Sequence, residues 1–214
     1  FEIKLYNKEN NSIPIFLDFL KASTVFKNDN SSNYISENNH DFLTESSLIK
    51  HLQNIDILLR PYGISKINYD IIMGSANSYT NFKYSLNPRN FLYALNGELD
   101  ITLTIPNNKK YLHIEKDYIN NEFYSKIDIH NVTDNFLKDY SKIKFMKIIL
   151  NKGDLLYIPS YWFYSIKFSS YDSMLLSFKY DTYMSTVSVL PEIIQSYLQN
   201  NNIKNNFLKI YNIV

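Results

Sequence analysis

The 214 residues (25.3 kDa) suit one domain of ordinary size and leave little room for a second core. A hydrophobic share of 45% and an aromatic share of 16%, with 19 Tyr and 14 Phe, supply ample core material and exclude a disordered tail despite a mean hydropathy of −0.28. The 22 basic and 21 acidic residues leave a formal charge of +1, which excludes a dominant nucleic-acid footprint, and zero cysteines exclude disulfides, thiolate nucleophiles and Cys-ligated metals.

Residues 1–66 read as a mixed, mostly helical lead-in that packs on a β-rich region. Ile13 to Leu20 is an apolar run around Pro14, a residue tolerated in a first helical turn. Residues 24–42 are polar, rich in Asn and Ser and aperiodic, which predicts a surface loop. Thr44 has the character of an N-cap, with Leu48, Leu52 and Ile55 on one helical face.

From about residue 67 the period changes. Leu99, Ile101, Leu103 and Ile105 alternate with Asp100, Thr102 and Thr104, the signature of a half-buried strand. Similar segments at 67–73, 79–85, 91–95, 145–150, 155–158, 163–168 and 174–180 bring the number of predicted strands to eight. Gly74, Pro88, Gly97, Pro106, Gly153 and Pro159 punctuate them, which predicts a sandwich or small barrel over 67–180. A polar insert, 107–143, interrupts the series and holds one short helix at Val132 to Tyr140. The segment 181–214 turns helical: Ile193, Ile194, Tyr197 and Leu198 form an apolar stripe after Pro191, and 203–213 adds a second apolar stretch beyond the Asn-rich connector Asn200 to Asn206. There is no internal repeat, and the whole is expected to be one structural domain. No apolar run approaches the roughly 18 residues needed to cross a bilayer, so a soluble chain is expected. The chain opens on Phe1 rather than Met, which leaves room for a start, signal or anchor upstream.

Four residue types dominate: 28 Asn, 27 Ile, 20 Lys and 19 Tyr, against 2 Arg. These four share A/T-rich codons, so an AT-rich genome accounts for part of the skew. The Asn-x-Ser/Thr sequons at Asn10, Asn30 and Asn131 therefore carry no weight.

The most distinctive stretch is GDLLYIPSYWFYSI, residues 153–166. Gly153-Asp154 makes a turn, Leu155 to Ile158 a buried strand, Pro159 a break, and Tyr161, Trp162 and Phe163 are bulky core fillers. This resembles the G-D-x-L-Y-I-P-x-x-W-W-H motif of the Jumonji-C or cupin-like branch of the Fe(II)/2-oxoglutarate oxygenases. NFLYALNGELDITLTIP (Asn90 to Pro106) is similar to that family's N-F…G-x-K…P-P strand pair. MGSANSYT (Met73 to Thr80) and YSKIDIHNVTDNFLKDY (Tyr124 to Tyr140) resemble two further segments of it, in the right order. The resemblance covers roughly residues 43–180 and implies a mainly β fold with flanking helices, a double-stranded β-helix of the cupin or jelly-roll type.

The resemblance also implies an iron site: two His and one carboxylate on one face of the metal. Carried over residue by residue, the H-x-D motif after Thr80 falls on Lys83 and Ser85, the second His on Tyr164, and the Lys that pairs with 2-oxoglutarate on Leu99, or on Asp100 with a one-residue slip, neither of them a cation. An ammonium repels a dication, and a hydroxyl and a phenol are poor substitutes for imidazole. Thr80 and Asn90 remain. These six residues are thus expected to line a vestigial pocket, with no catalytic residue, no metal and no cofactor. At its mouth the Lys83 ammonium either replaces the lost metal charge, hydrogen-bonding to Ser85 or Tyr164, or points to solvent.

The four histidines offer no second site. His113-Ile114-Glu115 has an H-x-E shape but sits in the insert, His130 falls in the same insert, His40 in the polar loop and His51 on an exposed helical side. The expected function is that of a catalytically inactive Jumonji-C/cupin-like protein, a structural or protein-binding component of a larger assembly such as a virus particle or organellar complex. Its partners would be proteins, or a second copy through surfaces and C-terminal helices, with no nucleic acid and no membrane span. Two alternatives stand beside it: an Fe(II)/2-oxoglutarate hydroxylase with non-standard ligands, and a small-ligand binder using the emptied barrel.

Overall fold

The computed structural model describes residues 1–8, 14–117 and 122–201. The lead-in runs β1 (Glu2–Asn7), β2 (Ile15–Asp18), α1 (Phe19–Asn28), β3 (Tyr34–Ser36), α2 (His40–Glu45), a 3-10 turn (Leu48–Leu52) and α3 (Gln53–Leu59). The barrel begins with β4 (Ile64–Gly74), β5 (Lys83–Tyr84), β6 (Arg89–Asn96) and β7 (Leu99–Thr104). The insert then supplies the hairpin β8 (Ile114–Asp117) and β9 (Glu122–Ser125) and the short helix α4 (Leu137–Tyr140). Four more strands finish the barrel: β10 (Met146–Leu150), β11 (Leu155–Ile158), β12 (Phe163–Phe168) and β13 (Met174–Thr182). Helices α5 (Tyr183–Ser188) and α6 (Leu190–Asn200) come last.

The strands form two sheets, ordered β11-β6-β13-β4-β3-β1-β2 and β10-β7-β12-β5-β9-β8. Neighbouring strands within them pair antiparallel. Successive barrel strands cross between the sheets except β7 and β10, which pair within one, the winding of a double-stranded β-helix, and the eight segments predicted as strands are the eight that build it. Between the sheets Leu92, Leu99, Ile101, Ile166, Phe168 and Leu175 are 0% exposed. Burying such side chains stabilises by about 1.5–3 kcal/mol each.

Both sheets are covered on their outer faces as well, which explains why so many strand residues are apolar on both sides. Tyr69, Ile71 and Met73 of β4, with Leu176, Phe178 and Tyr180 of β13, point outward into a core shared with α1, α2 and β1. Phe82, Tyr84 and Phe163 point outward from the other sheet and pack against Leu112, Phe123 and Ile143 of the insert. One polar knot lies in the first layer: Asp56, 4% exposed, accepts hydrogen bonds from the hydroxyls of Tyr69 (2.6 Å) and Tyr180 (2.7 Å) and pairs with Arg60. At the end of the barrel away from the 85–88 loop, Gly97 turns the chain at φ +74°. A Cβ there would lie 2.8 Å from the Ser173 Cα, so only glycine fits.

Several expectations fail at the edges. Ile15–Asp18 is a strand, not a helical turn, because it pairs with β1; the helix starts at Phe19, where Asp18 caps it by accepting from the Leu20 N–H. Within 24–42 only part is loop, since β3 joins the sheet between β4 and β1 and α1 and α2 extend into both ends. Thr44 lies inside α2 and bonds back to the His40 carbonyl instead of capping. The insert carries a hairpin as well as its helix. Ile13 and the stretch 203–213 lie outside the described residues. Among the described residues no helix is long and apolar enough to cross a membrane.

Candidate functional site

The site grows from one cross-strand pair. Lys83 of β5 stands opposite Tyr164 of β12, and Tyr164 stands opposite Leu103 of β7. Because Phe82, Tyr84 and Phe163 point outward, alternation turns Lys83 and Tyr164 inward, at the barrel mouth. Tyr164 is 1% exposed and packs in the inner cluster. The Lys83 ammonium pairs with the Glu37 carboxylate, from the loop after β3; both side chains are 15% exposed. Both expected arrangements for Lys83, bonded to Ser85 or Tyr164 or pointing to solvent, thus give way to a largely buried ion pair with a residue of the lead-in.

Ser85 serves the loop. Its hydroxyl bonds Asn87 Oδ1 at 2.5 Å, its carbonyl accepts the Tyr161 N–H, and Asn87 reaches Asp181 at 2.9 Å. Burial holds the Asp181 carboxyl above the usual carboxylate range, and the Asn87 bond opposes it. Thr80 clamps β12: its N–H donates to the Ile166 carbonyl, its Oγ1 accepts the Ile166 N–H, and its carbonyl accepts Ser165 Oγ. Leu99 lies four residues along β7 from the level of Tyr164, on the order of 14 Å away at strand rise. It pairs with Leu150 and Phe168 at the far end of the barrel and does not join the mouth. Of the neighbouring aromatics, Phe163 is buried and Trp162 packs on the inner cluster, but Tyr161 is 40% exposed with φ +63°, outside the core role expected of it.

The opposite wall is polar. Asn90 of β6 is 1% exposed, and among the described residues neither its Nδ2 nor its Oδ1 has a partner; Ser177 Oγ of β13 is likewise unpaired there. Asn90 faces Lys179 across the strands, and Ser177 faces Asp70. Asp70 accepts the backbone N–H groups of Asn38 (2.9 Å) and Asn39 (2.7 Å). Burial raises its carboxyl above the ordinary range, those two bonds and Lys179 pull it back, and Glu37 adds to the rise. The mouth thus holds charges of both signs, Lys83 and Lys179 beside Glu37 and Asp70.

Sequence reasoning finds Lys83, Ser85, Asn90 and Tyr164 and misses Glu37, Asp70, Ser177 and Lys179. The alternation Leu175, Ser177, Lys179 carries a readable signal, a polar pair on a face that begins apolar. Glu37 carries none, since its position depends on how the lead-in docks.

The resemblance implies a divalent metal here, and the residues do not fit one. An ion-paired ammonium, a phenol and a loop-bound hydroxyl cannot replace two imidazoles and a carboxylate. Among the described residues no three His, Asp or Glu side chains gather elsewhere. His113 bonds Asp139 at 2.9 Å while Glu115 pairs with Lys126, so the H-x-E tripeptide diverges. His130 packs on Tyr79 and bonds Ser165 at 3.2 Å.

The Lys83–Glu37 pair makes a first prediction. Lys83→Met leaves a buried carboxylate uncompensated and should cost about 3 kcal/mol. Adding Glu37→Gln should restore most of it. Urea denaturation of the two single variants and the double gives the coupling, and additive losses would show the pair to be unlinked.

No curated protein matches the chain. The family comparison does match, with the cupin-like domain over residues 1–186. That span takes in the lead-in, both sheets and the start of the C-terminal helices, so the chain belongs to the cupin-like domain family.

Proposed function

We propose that this chain is a non-catalytic member of the Jumonji-C side of that family, a barrel that has lost iron and 2-oxoglutarate and works as a protein-binding component of a larger assembly. The observation that carries the reading is the Lys83–Glu37 pair against Tyr164, at the level where the oxygenases bind iron. Protein binding draws support from the C-terminal helices: Tyr183 (68% exposed), Met184 (83%), Val187 (70%) and Tyr197 (69%) present large apolar side chains to solvent. Either another protein or a second copy would bury them.

The test is iron itself. Anaerobic dialysis against Fe(II), followed by thermal shift with iron and 2-oxoglutarate, should leave substoichiometric metal and an unchanged Tm. Stoichiometric iron with a clear stabilisation overturns the reading in favour of a hydroxylase with non-standard ligands.

A second reading, a small-ligand binder, is favoured by the unpaired Asn90 amide and Ser177 hydroxyl. Buried polar atoms are almost always satisfied, by protein, water or ligand. Native mass spectrometry of gently purified protein should then show a small adduct that Asn90→Leu abolishes. A bare mass in both proteins refutes that reading.

A further inference from the structure

The barrel has an open seam. Among the described residues β10 ends one sheet and pairs only with β7, and β11 ends the other and pairs only with β6. Among the described residues no backbone group bonds to the outer edge of β10. Its side chains alternate: Met146, Ile148 and Leu150 stand opposite Leu103, Ile101 and Leu99 and face inward, while Lys147 and Ile149 stand opposite Thr102 and Asp100 and face outward. Met146 is nonetheless 46% exposed and Ile149 58%, so the edge offers apolar surface on both faces.

The charge along this edge has one sign. Residues 141–152 hold four lysines and no carboxylate. Lys142 is engaged by Asp139 at 2.9 Å. Lys144, Lys147 and Lys152 are exposed and make no ion pair or side-chain hydrogen bond among the described residues. On the outer face Asp100 stands beside Lys167 and Ile149. Lysines guard sheet edges against unwanted pairing. A second β10 would set lysine against lysine, so the same charges that exclude a second copy favour an acidic strand.

We infer that the outer edge of β10 accepts an extended, acidic protein segment by strand addition, its apolar residues turned to the seam beside Met146 and Ile148 and its carboxylates turned to Lys147. Main-chain hydrogen bonds supply affinity and the alternate side chains supply selection. Lys144 and Lys152 flank the five-residue strand and take acidic residues at either end. The inference rests on the protein-binding reading and names the chemistry of one partner.

The probe is a fluorescein-labelled heptapeptide of alternating Glu and Val, titrated against the full chain and followed by polarisation. Saturable binding that weakens with salt is expected, as is a roughly tenfold loss in the exposed double variant Lys144→Glu/Lys147→Glu. A Lys–Val heptapeptide should not bind, and neither should the Glu–Val peptide with alternate backbone nitrogens methylated, which cannot add a strand. No saturable binding overturns the inference, and so does equal binding of the methylated peptide, which would reduce the edge to a charged patch. Circular dichroism confirms that the double variant is folded. Iron and co-substrate test the non-catalytic reading separately, so a failed titration on iron-free protein removes the edge alone.

Discussion

Asp56→Ala should lower stability by about 3–4 kcal/mol, the largest loss expected of any single substitution outside the apolar core. Asp56, on the buried side of α3 at 4% exposure, is the shared acceptor for two phenols, Tyr69 at 2.6 Å and Tyr180 at 2.7 Å, and for the Arg60 guanidinium. Removing it leaves two buried hydroxyl donors without their acceptor, each costing about 1–3 kcal/mol. At this chain length that is about 10 °C in Tm. Arg60→Ala should cost less, about 1–2 kcal/mol: its own side chain is 46% exposed and screened by solvent, and the Asp56 carboxylate it leaves behind keeps both phenol hydrogen bonds. Tyr69→Phe should fall between the two. The phenols add a pH dependence. Burial first, and then Asp56, pushes the Tyr69 hydroxyl up to about 12 from the ordinary 10, and Tyr180 rises for the same causes. A raised folded pKa means stability that is intact below about pH 10 and lost as pH climbs from there toward the folded value, since the unfolded chain ionises first. Thermal melts between about pH 8 and 11 should show that decline in the wild type and less of it in Tyr69→Phe. A flat profile would mean that the knot contributes little.

How much of the molecule is legible in its sequence depends on how local each feature is. The eight barrel strands are legible because alternation and turn residues are local: Leu99 to Thr104 shows its period in six residues, and Gly97 marks its turn. Ile15–Asp18 misleads because a short apolar run next to a helix carries no period, and only β1 makes it a strand. Lys83 and Tyr164 are found by motif, and their direct pairing comes from the β5–β12 register. Glu37 is invisible in advance, being neutralised by a strand 46 residues away in sequence. The same holds for Asp56, whose partners lie 13 and 124 residues away. Leu99 is the reverse case: the motif alignment groups it with the mouth, and the strand's length puts it at the other end.

If the non-catalytic reading is right, writing the family's ligands into these positions should create a metal site. Lys83→His and Tyr164→His would place two imidazoles on directly opposed residues, with Cβ atoms about 4.5–5.5 Å apart, close enough to share one ion. Ser85→Asp would add the carboxylate two residues on, the spacing that returns to one strand face. The expected result is stoichiometric Co(II) in the triple variant, read from its visible absorption, against none in the wild type or in any single variant. The double His variant discriminates further. Lys83→His removes the cation that holds Glu37, so a carboxylate is released at the same mouth. If the double variant binds as tightly as the triple, Glu37 is the third ligand and Ser85 is out of reach, held by its bonds to Asn87 and Tyr161. If only the triple binds, position 85 points inward as the family motif requires. A folded triple variant that takes up no metal would show that Lys83 and Tyr164 do not stand where the oxygenases place their histidines, and the non-catalytic reading would lose the observation it rests on.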